Sequence, residues 1–364
     1  MYALGANLFA IRFDVKKLQV IGGPIPVVED VMRSRPGNTA ATFFSVSNNG
    51  SLAAVSGTSS PGGVGLAFVD KNGAKKPFAV APSGFASPRI SPDGKQVAVQ
   101  VNDGAELYIS VSDIAGKSAM RRLTFGGDNY APLWTRDGQR IIFTSNRDGD
   151  VALFWQRADG SGSAERLTKA EKGVIHIPES ASPDGKFVTL QAGNGVWILS
   201  LEGDRKMKSL IEVSSPASAN RSAFSPDGHW LVYQSGVTGR GEIYVQPFPP
   251  TGAKYQISGP GGLWPLWSPD GKQIFYVAVG RGSPFVIVAV DIQTKPSFGI
   301  VKSTLLPIEG LIQNGTSRNY DITPDGKEII ATFLPEQTQS GDRGLQINVV
   351  LNWFTELQQR VPVK

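Results

Sequence analysis

Short apolar and β-branched runs recur along this chain, each broken by a cluster of serine, proline, aspartate and glycine. The clearest case is LWPLWSPDGKQIFYVAV, residues 263–279. Trp264, Leu266 and Trp267 lead into Ser268-Pro269-Asp270-Gly271-Lys272, and Ile274, Phe275, Tyr276 and Val277 lead away. Proline presets its own φ for a turn, the aspartate carboxylate accepts backbone N–H bonds, and glycine takes positive φ without a Cβ clash. The stretch predicts a β-hairpin. The same unit centres on Asp93-Gly94, Asp137-Gly138, Asp184-Gly185, Asp227-Gly228, Asp270-Gly271 and Asp325-Gly326, with a degenerate copy at Asn49-Gly50. From Asn49 the central positions step by 44, 44, 47, 43, 43 and 55 residues. A period in the forties built of short strands predicts an all-β fold, a β-propeller of four-stranded blades.

Laid on that period, residues 41–307 give six full blades, and the pattern spans nearly the whole chain, so one propeller over 1–364 is expected. Residues 1–32 carry two strand patterns, Asn7 to Asp14 and Ile25 to Glu29, which read as the outer strands of a closing blade. Its inner strands are expected at the other end, Asn319 to Ile322 and Glu328 to Phe333 within 318–364. Pairing of the two chain ends would leave no open sheet edge. The count is then seven blades, with six and eight as alternatives. The stretch Ile347 to Phe354 fits either a further strand of that blade or a strand running into a short helix from Thr355 to Arg360.

Composition narrows the function. Glycine (42) and proline (25) are abundant, as many special turns require. The net charge of +5 comes from 36 basic and 31 acidic side chains, scattered rather than in blocks, and argues against nucleic acid as a partner. With no cysteine, disulfides, thiolate metal sites and thiol nucleophiles are excluded. There is no run of about 18 apolar residues to cross a membrane, and the N-terminus lacks the basic-then-apolar order of a signal peptide.

Candidate chemistry is sparse. The turn aspartates lie one to a turn, whereas a calcium loop gathers several oxygens within a few residues, so a structural role is expected. Two histidines, His176 and His229, are too few for a metal site, and no cofactor is expected. There is no G-x-S-x-G nucleophile elbow. Glu179 and Asp321, both on first strands, form a possible carboxylate pair for glycosidase chemistry. Trp134, Phe224 and Trp267 each stand three residues before a turn aspartate, the register of packing between blades. The set that stands out lies six to eight residues before the turns, where loops entering the inner strands would ring one mouth of a channel: Phe85, Asn129, Tyr130, His176, Asn220, Arg221, Trp264, Arg318 and Asn319. Tyrosine, tryptophan and arginine are the side chains enriched at binding hot spots, and binding residues concentrate on loops held by rigid scaffolds.

The repeated [ST]-P-D-G-[KQ] followed by an apolar strand resembles the WD-repeat-like propeller of the TolB type. Glu242-Ile243-Tyr244-Val245-Gln246-Pro247-Phe248-Pro249 and Ile347 to Phe354 are similar to the extracytoplasmic propeller that follows the kinase domain in many bacterial, notably acidobacterial, serine/threonine protein kinases. The chain has no Gly-rich phosphate loop, V-A-I-K, H-R-D or D-F-G, so kinase activity does not carry over. The resemblance implies a sensory propeller outside the cytoplasm. The expected function is non-catalytic binding of a protein, peptide or small ligand at the channel mouth by a monomer. The alternative is a propeller hydrolase or lactonase-like enzyme with a metal or carboxylate site in the channel.

Overall fold

The computed structural model describes residues 1–4, 7–29, 31, 42–56, 63–81, 83–104, 106–259, 261–278, 285–312, 317–334 and 346–360. They form an all-β protein with one short helix, divided into two compact units, Met1–Gly63 with Glu336–Lys364 and Val64–Pro335.

The second unit holds six four-stranded antiparallel sheets. In order from first strand to fourth, sheet I is Gly84–Ile90, Gln96–Asn102, Leu107–Asp113 and Arg121–Arg122. Sheet II is Asn129–Trp134, Arg140–Ser145, Ala152–Arg157 and Glu165–Arg166. Sheet III is His176–Ala181, Phe187–Ala192, Gly195–Ser200 and Met207–Ile211. Sheet IV is Ala219–Phe224, Trp230–Ser235, Glu242–Pro247 and Tyr255–Gln256. Sheet V is Gly262–Trp267, Gln273–Ala278, Val286–Gln293 and Gly299–Leu305. Sheet VI is discontinuous in sequence: Tyr320–Ile322 and Glu328–Phe333 are followed in space by Gly65–Asp70 and Lys75–Pro77. The arrangement is consistent with a propeller.

The core lies between sheets rather than within one. Ile109 and Val111 of sheet I pack with Ile141 and Phe143 of sheet II, and Ile142 and Leu153 pack with Val188 and Leu190 of sheet III. Val196 meets Ala219 and Tyr233 of sheet IV, and Val232 and Val245 meet Ile274 and Val290 of sheet V. Phe275 and Ile287 meet Ile329 and Tyr320 of sheet VI, and Phe68 and Ile330 of sheet VI meet Val97 and Val99 of sheet I. Strands buried on both faces read as near-continuous apolar runs, which is the pattern of the second strands here.

Each Asp-Gly turn is built alike. Ser91 Oγ donates to Asp93 Oδ1 at 2.6 Å, and Lys95 N donates to the same oxygen at 3.1 Å. Gln96 N donates back to Ser91 Oγ at 2.9 Å. The Ser91 hydroxyl bond above all, with that of the Lys95 N–H, holds the Asp93 carboxyl below its ordinary range. The same bonds recur at Asp137, Asp184, Asp227, Asp270 and Asp325, so the structural reading of these aspartates accounts for their contacts. The turns also follow one another: a Cβ built on Gly138 would lie 3.7 Å from Pro92, on Gly228 3.6 Å from Pro183, on Gly326 3.6 Å from Pro269, and on Gly94 3.3 Å from Pro324. Gly271 has φ +70° and room for a methyl group, 3.7 Å from Pro226. Gly271→Ala is therefore expected to cost only the left-handed backbone strain, about 1–2 kcal/mol, read as a lowered urea midpoint. Gly94→Ala, with the tighter neighbour, should cost more.

Three expectations change. The inner strands at 320–333 pair with Gly65–Asp70, as in Ile330↔Phe68, and not with residues 1–32. Residues 1–32 instead supply a sheet of their own, Tyr2–Leu4, Asn7–Asp14 and Gln19–Val28. The expected first blade at 41–83 is divided, since Phe44–Val46 and Leu52–Ser56 pair with Gln346–Val350 in a three-stranded sheet. The reason is apolar payload. Phe68 and Val69 fill the space beside Ile329 and Ile330, whereas Ala53 and Ala54 after the degenerate turn offer only methyl groups. The stretch from 346 resolves as a strand running into the helix Trp353–Arg360, with Trp353 buried among Leu8, Ala10, Val27 and Leu52.

Candidate functional site

The first strands of sheets I to V share one irregularity. Pairing with the second strand slips between Ala86 and Arg89, Tyr130 and Leu133, Pro178 and Ser180, Asn220 and Ala223, and Leu263 and Leu266. At four of these bulges a non-glycine residue has positive φ: Ser87 (52°), Ala131 (53°), Arg221 (58°) and Trp264 (54°). Such residues cost of order 1–3 kcal/mol each and persist where the surroundings fix them. Here the turned-out N–H groups are met by the neighbouring sheet. Ser87 N donates to Asn319 Oδ1 at 2.8 Å, Trp264 N to Gln234 Oε1 at 3.3 Å, and Arg221 N to Glu179 Oε1.

Proline follows the bulge in three sheets, at Pro88, Pro132 and Pro265, where no N–H needs a partner. Sheet IV has Ser222 there instead, and its N–H and hydroxyl both donate to Glu179 Oε2, the former at 2.9 Å. Glu179 thus serves as the acceptor for a whole bulge. Burial raises its carboxyl above the ordinary range, against the opposing pull of the Ser222 bonds and the Arg221 charge.

The bulges of sheets I, III, IV and V line one cleft: Arg89 of sheet I, Ile177, Pro178 and Glu179 of sheet III, Arg221 and Ser222 of sheet IV, and Trp264 of sheet V, joined by Ser317 and Arg318 before sheet VI. It is shallow and open on one side, with a cavity volume of about 20 Å³, room for about one water molecule. Arg89 Nη1 donates to the carbonyls of Pro88 and Arg318 at 2.7 and 2.8 Å. Arg318 donates to Tyr320 O at 2.9 Å and to Asp321 Oδ1 at 3.3 Å. Asp321 Oδ2 in turn accepts Ile90 N at 2.9 Å. Burial, then the charge of Arg318, lowers Arg89 to about 9. Arg221 Nη1 donates to Gln191 Oε1 at 2.9 Å, and burial lowers this guanidinium also.

Of the nine residues singled out from sequence, Arg221, Trp264 and Arg318 come together in this cleft. The others are not among its lining. Phe85 is buried with Val99 and Val101, because alternation from the bulge turns it into the apolar layer. Asn129 is buried, donating to Gly126 O and Gly127 O and accepting from Arg147. Tyr130 is partly buried, and burial with the nearby Asp128 charge pushes its phenol up to about 12. His176 is buried with Nδ1 2.9 Å from Thr168 Oγ1, and burial lowers its pKa. Asn220 is buried with Oδ1 unpartnered among the described residues. Asn319 is fully buried and ties Ser87 in place. Trp134 and Trp267 are buried between sheets as expected, their indoles donating to Arg89 O at 2.9 Å and Ala223 O at 3.1 Å. Arg89, Glu179 as an organising group, and Ser222 lie four to five residues before the turn aspartates and were missed by a search at six to eight. Glu179 and Asp321 sit in separate hydrogen-bond groups, each engaged with the next sheet's backbone. Among the described residues no group of three or more His, Asp or Glu could hold a metal ion.

Bulged first strands around one cleft, carried on four-stranded antiparallel sheets, are consistent with a propeller. The chain belongs to the PD40 family, the TolB beta propeller domain, whose profile matches residues 45–245. It is 30% identical over 186 residues to the Tol-Pal system protein TolB of Francisella tularensis subsp. mediasiatica, covering 47% of this chain and 40% of that protein. It is 30% identical over 179 residues to the uncharacterized peptidase YuxL of Bacillus subtilis, covering 47% of this chain and 25% of YuxL. The chain thus spans less than half the length of either relative. A solved TolB-like structure from Agrobacterium tumefaciens superposes with TM-score 0.58 at 16% identity, over 75% of this chain and 98% of that one. TolB from Acinetobacter baumannii gives 0.52 at 18%, over 78% and 66%. No helix among the described residues is long and apolar enough to cross a membrane.

Proposed function

We propose that this chain is a non-catalytic recognition propeller, a six-bladed ring with sheet VI as its closing blade, that holds a protein or peptide partner at the cleft between the inner strands. One observation carries the reading: Arg221 and Trp264 from two sheets and Arg318 from the segment before a third converge with Arg89 on one cleft whose backbone is held in strained conformations by buried bonds between sheets. Backbone fixed in this way pre-organises the contact groups and reduces the ordering cost of binding. The kinship with TolB propellers supports a protein partner. The setting this reading assigns is the sensory part of a bacterial signalling system outside the cytoplasm, with the chain acting as a monomer.

The test is selection of peptides from a random library on the wild-type protein, with recovered peptides titrated against Arg221→Gln/Trp264→Phe. Arg318 is left intact because its bonds to Tyr320 O and Asp321 are part of the wall. The double variant should weaken binding at least tenfold, about 1.4 kcal/mol, with a cooperative unfolding transition retained. Peptides that bind both proteins alike would remove the cleft from the reading.

A further inference from the structure

The charge and donor inventory of the cleft goes one step further, resting on the recognition reading. Three guanidinium groups, Arg89, Arg221 and Arg318, line the cleft with one carboxylate, Glu179, and Arg318 is paired with a second, Asp321, outside the lining. Both carboxylates are already engaged: Glu179 accepts three bonds from the bulge of sheet IV, and Asp321 accepts Ile90 N and Arg318. The donors are not matched in the same way. Arg89 uses Nη1 for two carbonyls, and its Nε and Nη2 have no protein acceptor among the described residues. Arg221 uses Nη1 for Gln191, and its Nε is buried with no acceptor there. The indole N–H of Trp264, on the adjacent wall, is likewise buried without one. Trp134 and Trp267, three residues before their turn aspartates, each donate the indole N–H to a carbonyl of the preceding first strand.

Surplus donors with no surplus acceptors describe a site for an acceptor. The formal balance of three positive against two negative groups is closed by one negative charge. A doubly charged group would overshoot and face Glu179 at the same time, since like charges in a confined site repel. Arginine forks match a planar carboxylate with two parallel bonds. We propose that the cleft binds the carboxylate of an acidic peptide, an Asp or Glu side chain or a terminal carboxyl, through Arg89, Arg221 and the Trp264 indole, with Arg318 completing the charge balance. Burial and mutual repulsion already weaken the proton affinity of Arg89 beside Arg318, and an anion between them relieves that repulsion.

The probe is sodium acetate, titrated into 15N-labelled protein at fixed ionic strength made up with sodium chloride. The indole resonance is assigned with Trp264→Phe. Acetate should shift the Trp264 indole and Arg221 Nε–H signals saturably, with half-saturation on the order of 10 mM, within the limit for so small a ligand. Arg221→Gln should weaken this at least tenfold, and Arg221→Lys should recover only part, because lysine keeps the charge and loses the fork. Peptides selected by the wild type and lost in the double variant should carry an acidic group, and changing it from Glu to Gln should cost at least tenfold. Signals that do not move with acetate, or a Glu-to-Gln change within twofold, overturn the proposal while cleft-dependent peptide binding would leave the recognition reading standing. Inorganic phosphate saturating at tenfold lower concentration than acetate overturns the single-charge assignment.

Discussion

Glu179→Ala is expected to destabilise the protein by about 3 kcal/mol, measured by urea denaturation followed through tryptophan fluorescence. The carboxylate accepts Arg221 N, Ser222 N and Ser222 Oγ, and those backbone groups have no other acceptor among the described residues. Unmet buried donors cost about 1–3 kcal/mol each, and the Glu179 charge also favours the buried Arg221 guanidinium. Partial access of the cleft to water keeps the expectation at the lower end. Glu179→Gln retains one carbonyl acceptor and turns an amide N–H₂ towards the other donor, so about half the loss is expected. The pH dependence separates the two effects. Burial raises the folded carboxyl above its unfolded value of about 4.3. The stabilisation linked to that shift is complete below the unfolded value and is lost as pH rises through the folded value. The advantage of the wild type over Glu179→Gln should therefore be greatest near pH 4 and shrink towards neutrality. An advantage that grows with pH would mean that the hydrogen bonds outweigh burial and favour the ionised form.

How much of this was legible in sequence follows from where the determining interactions lie. The hairpins were legible because Ser268, Pro269, Asp270 and Gly271 satisfy one another within five residues, and the period repeats that local solution. The assignment of 65–77 was not, because Ser47, Asn49 and Gly50 close a similar local turn, Gly50 N reaching Ser47 O at 3.1 Å and Ser51 N reaching Ser47 Oγ at 2.9 Å. Only the packing of Phe68 against sheet I and of Val69 against sheet V decides that those strands join 320–333. The cleft was half legible. Arg221, Trp264 and Arg318 lie six or seven residues before their turn aspartates, where the search was made. A regular strand would then alternate its faces onward, and the bulge breaks that alternation, bringing Arg89, Glu179 and Ser222 to the same surface. The sequence does carry a mark of the bulge: Pro88, Pro132 and Pro265 stand mid-strand at one register, a place proline tolerates only at an edge or a bulge. His176 carries no such mark, since its partner Thr168 comes from the end of the preceding sheet's connection.

Ala67→Cys/Ala331→Cys is expected to raise stability by about 3 kcal/mol on oxidation. Ala67 and Ala331 are direct Cα partners on adjacent antiparallel strands of sheet VI, where the early and late parts of the chain meet. Opposed residues in such a pair lie about 4.5–5.5 Å apart at Cα, inside the range a disulfide spans. The chain has no cysteine of its own, so the new pair has no competing partner. A cross-link enclosing residues 67–331 removes more entropy from the unfolded chain than one closing about 100 residues, for which the chain model gives about 4.7 kcal/mol. Both alanines are buried, and fitting two sulfur atoms there offsets part of that gain. The comparison is between oxidised and reduced forms of the same variant, which share any packing strain of the cysteines themselves. Kinetics add a sharper readout. In the proposed ring, parting the discontinuous sheet is the step that needs no strand to leave its own hairpin. If unfolding begins there, oxidation slows unfolding by at least as much as it raises the equilibrium stability, because the bond acts on a contact absent from the transition state. A bond that raises stability while leaving the unfolding rate unchanged would move the first opening to another junction, and failure of the two cysteines to oxidise would remove sheet VI as the closing blade.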